Sequence, residues 1–102
     1  MREKPFHYKF EWDFVKAEKN LQKHDIRFEN AAEIFKDPLS ISLFDKTHSD
    51  IEERWITLGQ DYSGKLIVVV HTFEELEEAD IRIRIISARK ATKREVKAYQ
   101  NG

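Results

Sequence analysis

The stretch 65–73, KLIVVVHTF, constrains this chain most. Five successive apolar residues, Leu66 to Val70, follow the turn-forming run Asp61-Tyr62-Ser63-Gly64. Such a run is far too short to span a bilayer. Bounded by turn signals and rich in β-branched side chains, it reads as a strand covered on both faces, the central strand of a sheet.

Alternation supplies its neighbours. Phe6, Tyr8, Phe10 and Trp12 alternate with His7, Lys9 and Glu11, which predicts a strand over 6–12 with one buried face. Shorter alternating runs occupy 40–44 and 54–59 (RWITLG). The segment 81–88, IRIRIISA, alternates strictly and then changes phase at Ile85-Ile86, which predicts a bulge or bend. Asp13 is a good N-cap for a helix in which Phe14, Ala17 and Leu21 recur at helical spacing to about His24. A second short helix fits 28–36 and stops before Pro38. With about four residues between them, the two form an antiparallel helical hairpin. An acidic connection fills 74–80, and Thr92 with Glu95 forms a T-x-x-E capping box that opens a last helix through about Tyr99. The order β-α-α-β-β-β-β-α predicts an α+β fold: a mostly antiparallel sheet, an N-terminal helical hairpin on one face and a C-terminal helix. At 102 residues, 40% hydrophobic and 36% charged, residues 1–102 suit one globular domain.

Several chemistries are excluded by what is missing. There is no Cys, hence no disulfide framework and no thiol chemistry. The opening MREKPFHYKF lacks an apolar core of signal-peptide length, so a cytoplasmic location is expected, with no membrane contact. His7, His24, His48 and His71 share no metal-ligand spacing. The loop from Asp45 has Asp50 and Ile56 where a calcium loop needs Gly and Glu. Gly-rich phosphate loops, nucleophile elbows and H-E-x-x-H are all absent, so neither metal nor cofactor is expected.

The formal net charge of −1 hides a strong asymmetry. Residues 45–80 carry three basic and ten acidic side chains, while 81–102 carry seven basic and one acidic. In I-R-I-R-I the isoleucines share one strand face, so Arg82 and Arg84 project together from the other. Arg89 and Lys90 fall just past the strand's expected end, and Lys93, Arg94 and Lys97 on the first turns of the last helix. Guanidinium groups hold phosphate oxygens in a bidentate fork, which makes this a candidate phosphate surface centred on Arg84 and Arg89. Tyr62 and Tyr99 are candidates for stacking on an unpaired base. The competing reading, favoured for Arg82, is a solvated strand face paired with the acidic loops. His71 is either a general acid or base, since imidazole titrates near neutrality, or a histidine satisfied within the sheet. His24, at the end of the first helix, either anchors a phosphate or caps the helix.

Particular segments also resemble a known family. F-E-W-D-x-x-K-x-x-x-N-x-x-K-H over 10–24 and F-E-x-A-A-x-x-F-x-D-P over 28–38 resemble the first half of the BrnT toxin family. E-R-W-I-T-L-G over 53–59, V-V-V-H-T over 68–72 and R-I-I-S-A-R-K-A-T over 84–92 resemble its second half. The resemblance implies a compact RelE-like α+β fold and a ribonuclease toxin of a type II toxin–antitoxin module. It also implies a partner, a DNA-binding ribbon-helix-helix antitoxin of the BrnA type, with DNA reached only through that antitoxin. Three departures stand out: Asp25 where the family more usually has Gly, Phe14 where it often has Pro, and a connection at 74–80 with five carboxylates, longer and more acidic than is common there.

The mechanism expected is metal-independent RNA cleavage, in which a 2′-hydroxyl attacks the adjacent phosphate in line. Arg84 and Arg89 are expected on the phosphate with Lys90 in support, and His71 and Tyr99 as proton-transfer groups. Lys23, His24, Arg82 and Lys93 are expected as further RNA contacts. The alternative is a catalytically weak or inactive binding module that docks an antitoxin-like partner through the basic surface. A lone DNA-binding regulator fits less well, because the basic helix is short and has no helix-turn-helix partner.

Overall fold

The computed structural model describes residues 7–102, so Phe6, the first residue of the expected opening strand, lies outside the described residues. Strand β1 (His7–Trp12) is followed by helices α1 (Phe14–His24) and α2 (Phe28–Glu33), the latter tightening into a 3₁₀ turn at Ile34–Lys36. Then come β2 (Ile41–Phe44), β3 (Trp55–Gln60), β4 (Leu66–His71), β5 (Glu74–Glu75) and β6 (Asp80–Lys90), and finally α3 (Lys93–Asn101).

The main sheet runs β1-β6-β4-β3-β2, with β4 in the middle as its apolar run requires. Ile67 and Val69 are buried from one face and Val68 from the other. Every pairing is antiparallel except β1 with β6, which is parallel and joins Tyr8 to Ile81 and Trp12 to Ile85. The phase change in IRIRIISA appears as a slip in the β4–β6 ladder: Val70 faces Ser87 but His71 faces Ile85, leaving Ile86 as the extra residue. The acidic connection is not a plain loop. It holds β5, which pairs Glu74 with Arg82, and a tight turn in which Glu78 and Ala79 take positive φ.

One face of the sheet carries α1 and α2, both of which meet β6. Ile26, Phe28, Ala31 and Ile34 pack there against Ile67, Val69, Ile81, Ile83, Ile85 and Ala88. Asp13 caps α1 by accepting from the Lys16 N–H at 2.9 Å, and α1 ends at Asp25 in the left-handed region, φ 57°. That conformation is the reason a glycine suits this position. Gly59 has another role: a Cβ there would lie 2.9 Å from Ile34 Cβ and 3.1 Å from its carbonyl oxygen, so its bareness lets β3 approach the turn after α2. The opposite face carries α3 at one end. Thr92 and Glu95 form the full reciprocal capping box at its start. Among the described residues, the other end of that face is an open groove.

Candidate functional site

Strict alternation along β6 puts Arg82 and Arg84 on the face opposite Ile81, Ile83 and Ile85, pointing away from α1 and α2. They line an open groove of about 320 Å³ with Glu11, Glu52, Glu53, Thr72, Phe73 and Glu74. Thr72 is locked to Arg84 by two bonds: its N–H donates to the Arg84 carbonyl at 3.0 Å, and its Oγ1 accepts from the Arg84 N–H at 3.1 Å. The side chains in this groove are charge-paired. Arg84 Nη2 donates to Glu52 Oε2, and Glu52 also stands 3.7 Å from Arg54. Arg82 Nη1 donates to Glu74 Oε1 at 2.8 Å and its Nε lies 3.9 Å from Glu11. Both guanidinium groups keep a third or more of their surface, so the partners are exchangeable ions at the surface rather than a sealed network.

Arg89 stands elsewhere. The strand does not end at Ala88 but keeps pairing with β4 through Arg89 and Lys90, opposite Val68 and Ile67. Arg89 is therefore five residues along β6 from Arg84, one of them the bulged Ile86, a separation of about 13 Å at the strand rise. The single cationic surface expected over 81–97 is two surfaces, one at each end of β6. At the α3 end, both Nη atoms of Arg89 bind the two Glu95 oxygens at 2.8 and 2.9 Å. This fork holds the Glu95 carboxyl down at about 2 and raises the Arg89 guanidinium further. Tyr99 donates its hydroxyl proton to Asp37 Oδ2 at 2.7 Å, and that bond raises the phenol, so the proton is held more firmly than in free tyrosine. Lys90 is exposed at the end of β6 and Lys93 at the start of α3. Tyr62 lies in the β3–β4 turn, at the end of the sheet away from Arg84, and 68% of its surface is exposed. Lys23 and His24 form the last turn of α1 on the opposite face from Arg84.

His71 is 2% exposed and both ring nitrogens are engaged. Nδ1 meets the Thr72 carbonyl at 2.8 Å and Nε2 meets Thr57 Oγ1 at 2.6 Å, while Phe35 packs edge-on at 4.7 Å. Burial pushes the imidazole below its usual value, against a smaller raising effect of the Thr72 bond. A carbonyl only accepts, so Nδ1 carries the proton and Nε2 accepts from Thr57. Glu52 and Thr72 were not singled out by residue type or spacing, Glu74 only as one carboxylate of the acidic connection, and Glu95 only as a helix cap. The ladder registers, the fold of the 45–54 loop and the capped start of α3 bring them to the arginines.

Three comparisons bear on what this arrangement belongs to. A search among curated proteins gives no match. The crystal structure of the Brucella abortus ribonuclease toxin BrnT is similar at a TM-score of 0.54, covering 85% of this chain and 99% of that one at 20% identity, a likeness of fold. Residues 12–95 match the family model described as the ribonuclease toxin BrnT of type II toxin–antitoxin systems. A match over that span takes in β1's last residue, the Arg82–Arg84 groove and the start of α3, and on it the chain belongs to the BrnT toxin family.

Proposed function

We propose that this protein is the ribonuclease toxin of a type II toxin–antitoxin module and cleaves RNA without a metal ion at the Arg84 groove. The observation that carries this reading is the pair of guanidinium groups side by side on an open sheet face, with Arg84 fixed to Thr72 through its backbone. A phosphodiester oxygen displaces Glu52 from the Arg84 fork, and Arg82 holds the next phosphate. The freed Glu52 carboxylate is then placed to take the 2′-hydroxyl proton as the oxygen attacks phosphorus; the P–O5′ bond breaks, leaving a 2′,3′-cyclic phosphate, and the departing 5′-oxygen takes a proton from water, while Arg84 neutralises the charge that develops. His71 acts through Thr72, which it holds by the carbonyl, and Arg89 and Tyr99 act by fixing α3. Lys23, His24, Lys90 and Lys93 lie outside the groove and serve as peripheral RNA contacts at most.

Residues 1–102 act as one RelE-like domain with the N-terminal helices as a hairpin. The toxin is cytoplasmic, which agrees with the absence, among the described residues, of any helix long and apolar enough to cross a membrane. The partner is a ribbon-helix-helix antitoxin of the BrnA type, which blocks cleavage by covering the groove and supplies the DNA contact. One observation favours a second reading, a binding module with weak or no cleavage: Arg82, Arg84 and Arg89 all hold carboxylates already.

The test is purified protein on total RNA with EDTA present, with and without the antitoxin. Wild-type protein should cleave and the antitoxin should stop it. Arg84→Ala should lower the rate by 10²-fold or more, about the loss of one oxyanion-binding donor, and Arg84→Lys should restore little, since lysine lacks the fork. Full cleavage by Arg84→Ala refutes the site. Partner binding with no cleavage by wild-type protein selects the second reading.

A further inference from the structure

A second cavity, of about 150 Å³, lies at the same end of the sheet and is not used by the cleavage chemistry above. Ser42, Trp55, His71 and Phe73 line it, and Phe73 also lines the arginine groove, so the two spaces share a wall. The walls are aromatic. Trp55 packs edge-on to Phe44 with ring centres 5.3 Å apart and stands 6.5 Å from Phe73. Phe44 keeps 41% and Phe73 37% of its surface in water, and the indole N–H of Trp55 is buried with no acceptor among the described residues.

The polar side of the cavity has a fixed sense. With Nδ1 of His71 donating to the Thr72 carbonyl, Nε2 must accept from the Thr57 hydroxyl. Thr57 Oγ1 has then used its proton, so at 2.8 Å it accepts from the Ser42 hydroxyl. Ser42 is left with lone pairs and no proton to offer, and it presents an acceptor to whatever fills the cavity.

We infer that this cavity is a base subsite that takes a single pyrimidine of an RNA strand whose phosphate lies at Arg84, the strand rounding the end of the sheet at Phe73. Size selects the ring: an apolar cavity of about 150 Å³ accommodates one benzene-sized ring, and a purine's second ring is left outside. Trp55 and Phe73 supply aromatic faces for stacking, which is worth having because every base has a π-face. The Ser42 oxygen accepts from the exocyclic amine of cytosine or the ring N–H of uracil. The inference rests on the ribonuclease reading for the identity of the strand and adds to it which nucleotide sits beside the cleaved bond.

The experiment measures anisotropy of labelled 2′-O-methyl oligouridylate, oligocytidylate and oligoadenylate, which cannot be cleaved, on the full chain. Wild-type protein should bind the two pyrimidine strands about ten-fold tighter than the purine strand, the scale of one stacked base. Phe73→Leu, at the wall shared with the arginine groove, should remove that preference whatever it does to oligoadenylate, and Ser42→Ala should reduce it and leave oligoadenylate binding unchanged. Both sites are partly exposed, and circular dichroism confirms that the variants fold. Arg84→Ala should weaken all three strands alike. Equal binding of the three strands by wild-type protein, or a preference that survives both substitutions, overturns the base subsite while the Arg84 effect leaves the ribonuclease reading standing. Failure of wild-type protein to bind any strand removes both.

Discussion

Asn20 offers the sharpest quantitative test of how the site-bearing strand is held. Strand β1 ends opposite Ile85, so among the described residues β6 has no strand neighbour on that edge from Ile86 onward. The carboxamide of Asn20 takes the strand's place: Oδ1 accepts from the Ala88 N–H at 3.0 Å and Nδ2 donates to the Ala88 carbonyl at 2.9 Å and to the Ile26 carbonyl at 3.1 Å. Asn20 is 7% exposed and Ala88 fully buried. Asn20→Ala removes three bonds and leaves one N–H and two carbonyls buried without partners. At about 1–3 kcal/mol for each stranded group, with water entering the hole bringing the sum toward the low end, the loss is about 3–5 kcal/mol. That is a large share of the ~5–15 kcal/mol available to a domain, and it lowers Tm by roughly 15–30 °C. Asn20→Asp keeps the shape but points a second oxygen at two carbonyl oxygens, so it should be less stable than Asn20→Ala at pH 7. Urea unfolding followed by far-ultraviolet circular dichroism measures both. A loss under 1 kcal/mol for Asn20→Ala, or Asn20→Asp more stable than Asn20→Ala, refutes the role assigned to the carboxamide.

Three further outcomes are expected. Glu95, held at about 2 in the folded chain against 4.5 when free, stabilises the protein fully above pH 4.5 and loses that contribution as the pH falls toward 2; with both partners partly exposed, the contribution is on the order of 1–2 kcal/mol. The gap between wild-type and Glu95→Gln urea midpoints should therefore shrink between pH 5 and pH 2. His71, lowered by burial, resists protonation that the unfolded chain accepts, so stability falls as the pH drops below 6.5, and in His71→Gln the slope of unfolding free energy between pH 6.5 and 5 should be shallower. Gly59→Ala drives a methyl into Ile34 at 2.9 Å and should cost about 1–3 kcal/mol in chemical unfolding.

The elements were legible because each carries a local signature. The phase of IRIRIISA fixed both the face of Arg82 and Arg84 and the place of the bulge. The T-x-x-E box and Asp13 marked helix starts that the structure closes with the expected bonds. What stayed hidden depends on register between distant segments. Nothing in 6–12 says that this strand lies parallel to β6, since alternation reports a buried face and no partner. Nor does alternation say where a strand stops: Arg89 and Lys90 remain in β6 because β4 is still beside them, and that extension carries Arg89 about 13 Å from Arg84. Asn20 was legible as a polar residue on a helix, whereas its function arises only from the strand edge that β1 leaves uncovered.

The acidic excess of 45–80 then acquires a location. Of its ten carboxylates, Glu52 reaches Arg84 from the 45–54 loop and Glu74 reaches Arg82 from β5. A guanidinium already bonded to a carboxylate gains from a phosphate only the difference between the two, and exposed pairs of this kind are worth about 1 kcal/mol or less each. The groove is thus an ion exchanger with a low barrier to exchange rather than a blocked site. In the proposed reaction, a phosphate that takes Arg84 from Glu52 frees that carboxylate as a base beside the reacting group. The same charges that cancel in the sequence total therefore hold the two arginines in place on the open sheet face.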